Sequence, residues 1–234
     1  MGILGVLRGS RRVNGREPQG SEALGIVVGL AAEARIARNL GMVEIGGGLP
    51  RGAEAAAERL LARGAKALVS FGLAGGLDPA LRPGHLVVPK TVLEGDIRYA
   101  ACEVLTRRFG GATVAMLLAG ETVVVDSDHK HRLAAATGAS AVDLESGAVA
   151  RAAARHGVPF AVLRAVCDPV DRTLPQAALM VLDDAGNIGG LRVARTLLSR
   201  PKEILALIGL AVDAARARRS LMRAAGLLDG FVTP

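Results

Sequence analysis

Short, uninterrupted apolar runs recur along the chain, and between them lie Ala-rich stretches punctuated by charge. Such runs suit strands buried on both faces, whereas a half-buried strand would alternate apolar and polar positions. "LGIVVGL" is the first run, and "AAEARIARNLG" after it reads as a helix stopped by Gly41. "RGAEAAAERLLARG" is a second helix, ending at Gly64, and "AKALVSFG" is the next strand. "GHLVVPKTV" and "ATVAMLLAG" read as further strands, and "SDHKHRLAAATG" as a helix with Ser127 as its cap. A short strand, "ASAVDLE", a helix, "SGAVARAAARHG", stopped at Gly157, and a last strand, "VPFAVLRAV", follow. From Thr173 onward the pattern is helical, ending in "PKEILALIGLAVDAARARRSLMRAA". Continuous apolar strands alternating with helices predict an α/β fold with a largely parallel sheet covered on both faces.

The 234 residues suffice for one large domain with a substantial core. No Pro- or Ser-rich linker divides the middle and no repeat is visible, so residues 21–234 are expected to form a single domain. The first 20 residues lack the apolar core of a signal peptide and are expected to be a flexible basic tail. Half of the residues are hydrophobic but only 2% are aromatic, so Ala, Leu, Val and Gly must carry the packing. Charge-free apolar runs such as Ile204 to Val212 fall short of the roughly 18 residues a membrane span needs. Two cysteines, Cys102 and Cys167, with no CxxC, argue against a disulfide framework or a zinc site, and a reducing cytoplasm is expected.

The formal net charge of +7 raises the idea of nucleic acid. The chain lacks the aromatic platforms on which single strands stack. Much of the excess sits in Arg8 to Arg16 and Arg216 to Arg223, which an anionic substrate or an anionic membrane surface explains at least as well. Nucleic acid is therefore not an expected partner.

In open α/β sheets, ligands bind outside the carboxyl ends of the strands. Three segments there carry chemistry. "FGLAGGLDP" reads as the loop after the third strand and holds the glycine-rich stretch Gly72 to Gly76, where backbone can approach a ligand and successive N–H groups can cradle an anion. It matches neither a dinucleotide fingerprint nor a P-loop, and a tight structural turn competes evenly with a ligand role. "VDLESG" sets Asp143 and Glu145 on either side of Leu144. Glu145 either favours the start of the next helix or accepts from a pair of hydroxyls, as a sugar diol would offer. "LRAVCDPVDR" ends an apolar run on Asp168, with Asp171 following; Asp168 either caps the next turn or works at a pocket mouth. "HKH", His129 to His131, has histidines two apart on a helix, which do not face the same way, so a solvated face is expected there and no metal.

Together, "SFGLAGGLDPALRPGHLVVP", "GETVVVD" and "AVDLESGAVARAAARHGVPFAVLRAVCDPVDR" resemble the nucleoside phosphorylase and nucleosidase superfamily, over nearly the whole chain from Gly25. Within it, "GLAAEARIA", "SFGLAGGLDPAL" and "RAVCDPVDRTLPQAAL" look most like the hopanoid-associated phosphorylases, assigned to removing adenine from adenosylhopane. The resemblance implies a single-domain, three-layer α/β/α fold with a mixed, largely parallel central sheet. It implies an enzyme that breaks the N-glycosidic bond of an adenine nucleoside. Asp168 matches the acid that donates at purine N7, its pKa raised by apolar walls at Val166, Pro169 and Val170. Glu145 matches the glutamate that accepts from the 2′- and 3′-hydroxyls. Leu144 and Cys167 are implied as substrate-binding neighbours, Gly72, Gly75 and Gly76 as lining the ribose and nucleophile side, and Val123 as meeting the base edge.

The chain departs from the resemblance in places. Cys167 stands where the nucleosidases have Ser, and Leu73 where many members have a hydroxyl residue. "GGGLPRG" replaces a more regular small-residue loop. Glu33 lies near the position of a water-positioning glutamate, while Arg35 and Arg51 are candidate phosphate ligands, so water and phosphate both stay open as nucleophile. No cofactor is implied, and inorganic phosphate is the candidate co-substrate. The expected partner is a small-molecule nucleoside, with a lipid-linked one as the leading candidate, and a homo-oligomer is expected. A lipid-linked substrate would call for peripheral membrane contact, for which "EILALIGLAV" followed by Arg216, Arg218, Arg219 and Arg223 is one candidate. Packing of that helix on the sheet, with solvated arginines, is the alternative. A methylthioadenosine/S-adenosylhomocysteine-type nucleosidase and a catalytically silent nucleoside-binding module are the competing functions. The pairing of Glu145 with Asp168 speaks against the second.

Overall fold

The computed structural model describes residues 24–175 and 203–229. The expected basic tail, residues 1–20, and most of the stretch between Thr173 and the last helix lie outside the described residues. The elements in chain order are β1 (Leu24–Val28), α1 (Ala31–Ala37), β2 (Met42–Ile45), α2 (Pro50–Ala62), β3 (Ala67–Gly76), β4 (Leu86–Val87) and β5 (Pro89–Glu94). They continue with β6 (Ile97–Ala100), α3 (Glu103–Arg108), β7 (Val114–Ala119), α4 (Ser127–Thr137), β8 (Ala141–Asp143), α5 (Ser146–His156), β9 (Phe160–Asp168) and α6 (Ile204–Asp229).

The strands form one mixed, mostly parallel sheet. Its order is β2-β1-β3-β8-β7-β5-β6, with β9 paired to β3 and to β4. β1, β2, β3 and β9 run parallel, as do β5, β7 and β8, and β8 meets the end of β3 antiparallel. Because side chains alternate across a strand, each apolar run feeds both faces. Val27, Leu68, Phe160 and Val162 pack with Ala56, Leu60 of α2 and Val149, Ala152 of α5. Ile26, Val28, Phe71, Leu163 and Ala165 pack on the other face with Ala37 of α1 and Ala217, Leu221 of α6. That is the three-layer arrangement. Its cost of disruption is high: Leu163 is fully buried, and truncation to Ala at such a site costs about 2–5 kcal/mol.

Several boundaries differ from the sequence pattern, each for a local reason. Gly72 to Gly76 is not a loop after β3 but its second half, paired with Ala165 and Val166 of β9 and then with Val142 and Ala141 of β8. The cap of α4 is Asp126, whose carboxylate accepts from His129 N at 3.0 Å; Ser127 is the first helical residue, and its hydroxyl donates to the Val170 carbonyl instead. "GHLVVPKTV" divides into β4 and β5, since Val88 leaves the ladder before Pro89. β2, β6 and α3 are too short for periodicity to mark. α5 ends where expected, at Gly157, in the left-handed conformation that glycine alone adopts without strain.

Candidate active site

The second half of β3, the end of β9, the β8–α5 turn and the β1–α1 turn converge on a cavity of about 320 Å³. Two charged clusters lie in its wall.

The first is built around Arg164, in the middle of an otherwise apolar β9 and 1% exposed. It shares a sheet face with Ser70 of β3, whose hydroxyl accepts from Nη2 at 2.6 Å. Nη2 also lies 2.6 Å from Asp143 Oδ2, and Nη1 lies 3.0 Å from Glu145 Oε2. Asp143 turns back to cap α5, accepting from the Ser146 amide and, at 2.6 Å, from its hydroxyl. Glu145 occupies the cap position of α5 by backbone, yet its side chain caps nothing and points at Arg164. Glu145 Oε1 is buried and has no partner among the described residues. Glu33 of α1 completes the cluster. Its Oε2 accepts from the Gly29 and Leu30 amides at 3.0 and 2.9 Å, and its Oε1 from the Leu73 amide at 3.1 Å.

Three buried carboxylates thus surround one guanidinium. Burial pushes Glu145 up to about 7, against the pull of Arg164 and with Glu33 and Asp143 adding repulsion. Burial likewise raises Glu33, although Arg164 and its three backbone donors oppose the shift. Burial acts against the charge on Arg164, but Asp143, Glu145 and Glu33 outweigh it and hold its pKa above the ordinary value.

The second cluster joins Asp168, the last residue of β9, to Lys130 of α4. The Lys130 ammonium is 2.5 Å from Asp168 Oδ2, and both side chains are buried. Asp168 Oδ1 is buried and has no partner among the described residues. Burial raises the pKa of Asp168; Lys130 and Arg172 oppose that and Asp213 adds to it. Neither the cavity wall nor β9 supplied the signal for Lys130. It sits between His129 and His131, a segment expected to be solvated, and only the two histidines are so placed, both exposed. Arg164 is the one charge inside the apolar run from Val158 to Val166, and nothing in the sequence shows that Glu33, Asp143 and Glu145 converge on it.

The other expected residues divide. Gly75, Val123, Leu144 and Cys167 line the cavity. Gly72 lies behind it: a Cβ there would come within 2.6 Å of Arg164 Nη1 and 2.8 Å of Glu33 Oε1. Gly76 is buried one residue farther along β3. Cys167 is buried enough that its thiol pKa rises to about 12. Arg35 and Arg51 are exposed and do not line the cavity. Among the described residues no group of acids, histidines and cysteines could hold a metal ion.

Comparison with known proteins decides the family. The chain matches the family described as the phosphorylase superfamily over residues 34–110 and 106–198, which takes in β3, Glu145 and Asp168. The chain belongs to the phosphorylase superfamily. It is accordingly a glycosyl-transferring or hydrolysing enzyme. No curated protein matches significantly by sequence. Solved structures share the fold. The Helicobacter pylori 5′-methylthioadenosine/S-adenosylhomocysteine nucleosidase is 20% identical, with a TM-score of 0.61 over 79% of this chain and 100% of that one. The Streptococcus pyogenes S-adenosylhomocysteine nucleosidase is 17% identical, with a TM-score of 0.62 over 89% and 98%. The Helicobacter pylori futalosine hydrolase is 19% identical, with a TM-score of 0.59 over 78% and 98%.

Proposed function

We propose that this member of the phosphorylase superfamily cleaves the N-glycosidic bond of an adenine nucleoside with water, and that adenosylhopane is its substrate. One observation carries the chemistry: two buried carboxylate oxygens, Glu145 Oε1 and Asp168 Oδ1, have no hydrogen-bond partner among the described residues, and both residues line one cavity. Leaving a buried acceptor unsatisfied costs about 1–3 kcal/mol or more, so such atoms call for donors from a ligand. A ribose diol supplies them at Glu145. At Asp168 an exocyclic amine supplies one, and the protonated carboxyl group itself donates to purine N7.

The steps follow from the charges. Bond breaking makes the sugar cationic and the base anionic. Glu33, Asp143 and Glu145 outnumber Arg164 and favour the cation. Asp168, its pKa raised by burial, gives its proton to N7 as the electron pair of the C1′–N9 bond passes to the base. Water adds to C1′ and its proton passes to Glu33, whose raised pKa suits a base. Solvent later returns a proton to Asp168 and takes one from Glu33.

Water rather than phosphate fits the cations. Lys130 and Arg164 are the basic side chains in the cavity wall among the described residues, and both are already paired with carboxylates. A phosphate dianion there would face uncompensated negative charge. The 5′ substituent would pass Leu30, Leu174 and Leu210, which give the cavity an apolar side. Leu210 belongs to α6, which also exposes Leu205, Ile208 and Val212 at helical spacing, a surface suited to a hydrocarbon. A methylthioadenosine-type substrate is the second reading, since the same apolar side would take a small thioether.

Incubation with adenosylhopane and with methylthioadenosine, each with and without phosphate, while adenine is followed, tests the reading. Adenine from adenosylhopane in phosphate-free buffer is expected. Release that requires phosphate would reject water as nucleophile. Release from methylthioadenosine alone would reject the lipid, and release from neither would reject both substrates.

A further inference from the structure

Lys130 is the one fully buried lysine of the described residues, and an ammonium is not buried without reason. It has three N–H donors. They reach Asp168 Oδ2 at 2.5 Å, the Arg172 carbonyl at 2.7 Å and the Pro169 carbonyl at 3.2 Å. All three acceptors belong to one segment, the end of β9 and the turn that follows it. No donor is left over for a substrate, although Lys130 lines the cavity.

The contacts have two consequences. Asp168 Oδ2 is taken and its carboxyl group cannot rotate freely, so Oδ1 is the oxygen offered to a ligand. The turn after β9 is tied to the start of α4 not by Lys130 alone but also by Ser127 Oγ to the Val170 carbonyl at 2.9 Å and by the Leu174 amide to the Val125 carbonyl at 2.9 Å. The start of α4 is thus held to that turn by contacts besides those of Lys130, whereas among the described residues Lys130 is the side chain that bonds the Asp168 carboxyl group. Resting on the reading of Asp168 as the acid at the base, we propose that Lys130 is the positioning residue of this site: it fixes which oxygen of Asp168 faces the base and sets the pH at which Asp168 changes charge.

The groups that bear on Asp168 come from three sides. Lys130 acts from α4, Arg172 from the turn after β9, and Asp213 from α6; Cys167 precedes it on β9 as a neutral thiol. Arg172 is itself engaged by Asp213, at 2.5 Å, and that pair offsets its own charge. Lys130 is the cation in direct contact with Asp168. Removing it leaves desolvation and Asp213 unopposed at close range, so the Asp168 midpoint must rise.

The test is a titration of the free protein by infrared spectroscopy, following the protonated carboxyl band that disappears in Asp168→Asn. In Lys130→Met, close in length and shape, the midpoint of that band is expected at least one pH unit higher; in Lys130→Arg it is expected nearer to wild type. An unmoved midpoint in folded Lys130→Met overturns the proposal. If Lys130→Met does not fold, wild type with 15N-labelled lysine serves. One Nζ resonance should then titrate at the Asp168 midpoint and lose that step in Asp168→Asn, and absence of such a resonance overturns the proposal. Neither readout needs turnover. A midpoint that shifts in a protein that cleaves no nucleoside would fault the assignment of substrate and leave the role of Lys130 standing.

Discussion

Arg164 Nη1 lies 3.0 Å from Glu145 Oε2, and that contact leaves Glu145 Oε1 as a buried acceptor with no partner among the described residues. The same guanidinium holds Asp143. Removal of the cation by Arg164→Met would leave Glu33, Asp143 and Glu145 buried together. Breaking a buried pair in this way costs about 3–5 kcal/mol. Urea unfolding at neutral pH should show a loss of that size, and partial recovery at lower pH as Glu33 and Glu145, both raised by burial, protonate. A loss below about 1 kcal/mol would mean that the guanidinium does not hold the cluster together.

Glu145 gives a pH signature. Its folded pKa is about 7 against an ordinary 4.5, so the native state binds the proton more tightly than the unfolded chain. Stability from this group is complete below about pH 4.5 and is lost as pH rises through about 7. Thermal unfolding across that window should show falling stability in wild type and a shallower fall in Glu145→Gln. Glu33 and Asp168 shift in the same direction and account for the slope that remains. Equal slopes in both proteins would place the Glu145 pKa near its ordinary value.

The diol assignment predicts unequal losses. Glu145→Gln should lower kcat/KM on a ribonucleoside by more than on its 2′-deoxy counterpart, because one hydroxyl that the carboxylate serves is missing there. Equal losses on the two sugars would remove Glu145 from the 2′-hydroxyl.

Gly72 tests the packing behind the site. A methyl group at Gly72 would meet Arg164 and Glu33, both buried and pinned by several hydrogen bonds. Gly72→Ala should lower stability by about 1–3 kcal/mol and depress activity, as overpacking typically does. Gly209 of α6, which has no atom near its missing Cβ, is the comparison, and Gly209→Ala should not lower stability.

How far the sequence carried this site depends on distance along the chain. Buried strands were legible because both faces of β1, β3 and β9 are apolar, and α5 because its glycine stop is local. Glu145 and Asp168 stood out as acids at strand ends. Lys130 did not, since its partner lies 38 residues away and nothing in "HKH" marks the middle position as buried. The glycine stretch was misread as a loop because its pairing with β9 and β8 is made entirely by distant segments.

The basic C-terminal helix packs on the sheet through Ala217, Leu221 and Ala225, while Arg216, Arg219 and Arg223 stay exposed. If these arginines dock the enzyme on anionic lipid, each near the surface contributes about 1 kcal/mol. Sedimentation with anionic liposomes at low salt should weaken when Arg219 and Arg223 become Gln. Sedimentation unchanged by those replacements would remove α6 as the docking surface.

In the proposed reaction Asp168 supplies the proton that lets adenine leave. The direct measurement is the rate of adenine release from one adenine nucleoside by wild type and by Asp168→Asn, in phosphate-free buffer with substrate saturating. A fall of about 10²-fold or more is expected, as loss of a general acid produces, with the variant folded by circular dichroism. A folded Asp168→Asn that releases adenine at nearly the wild-type rate would contradict that role.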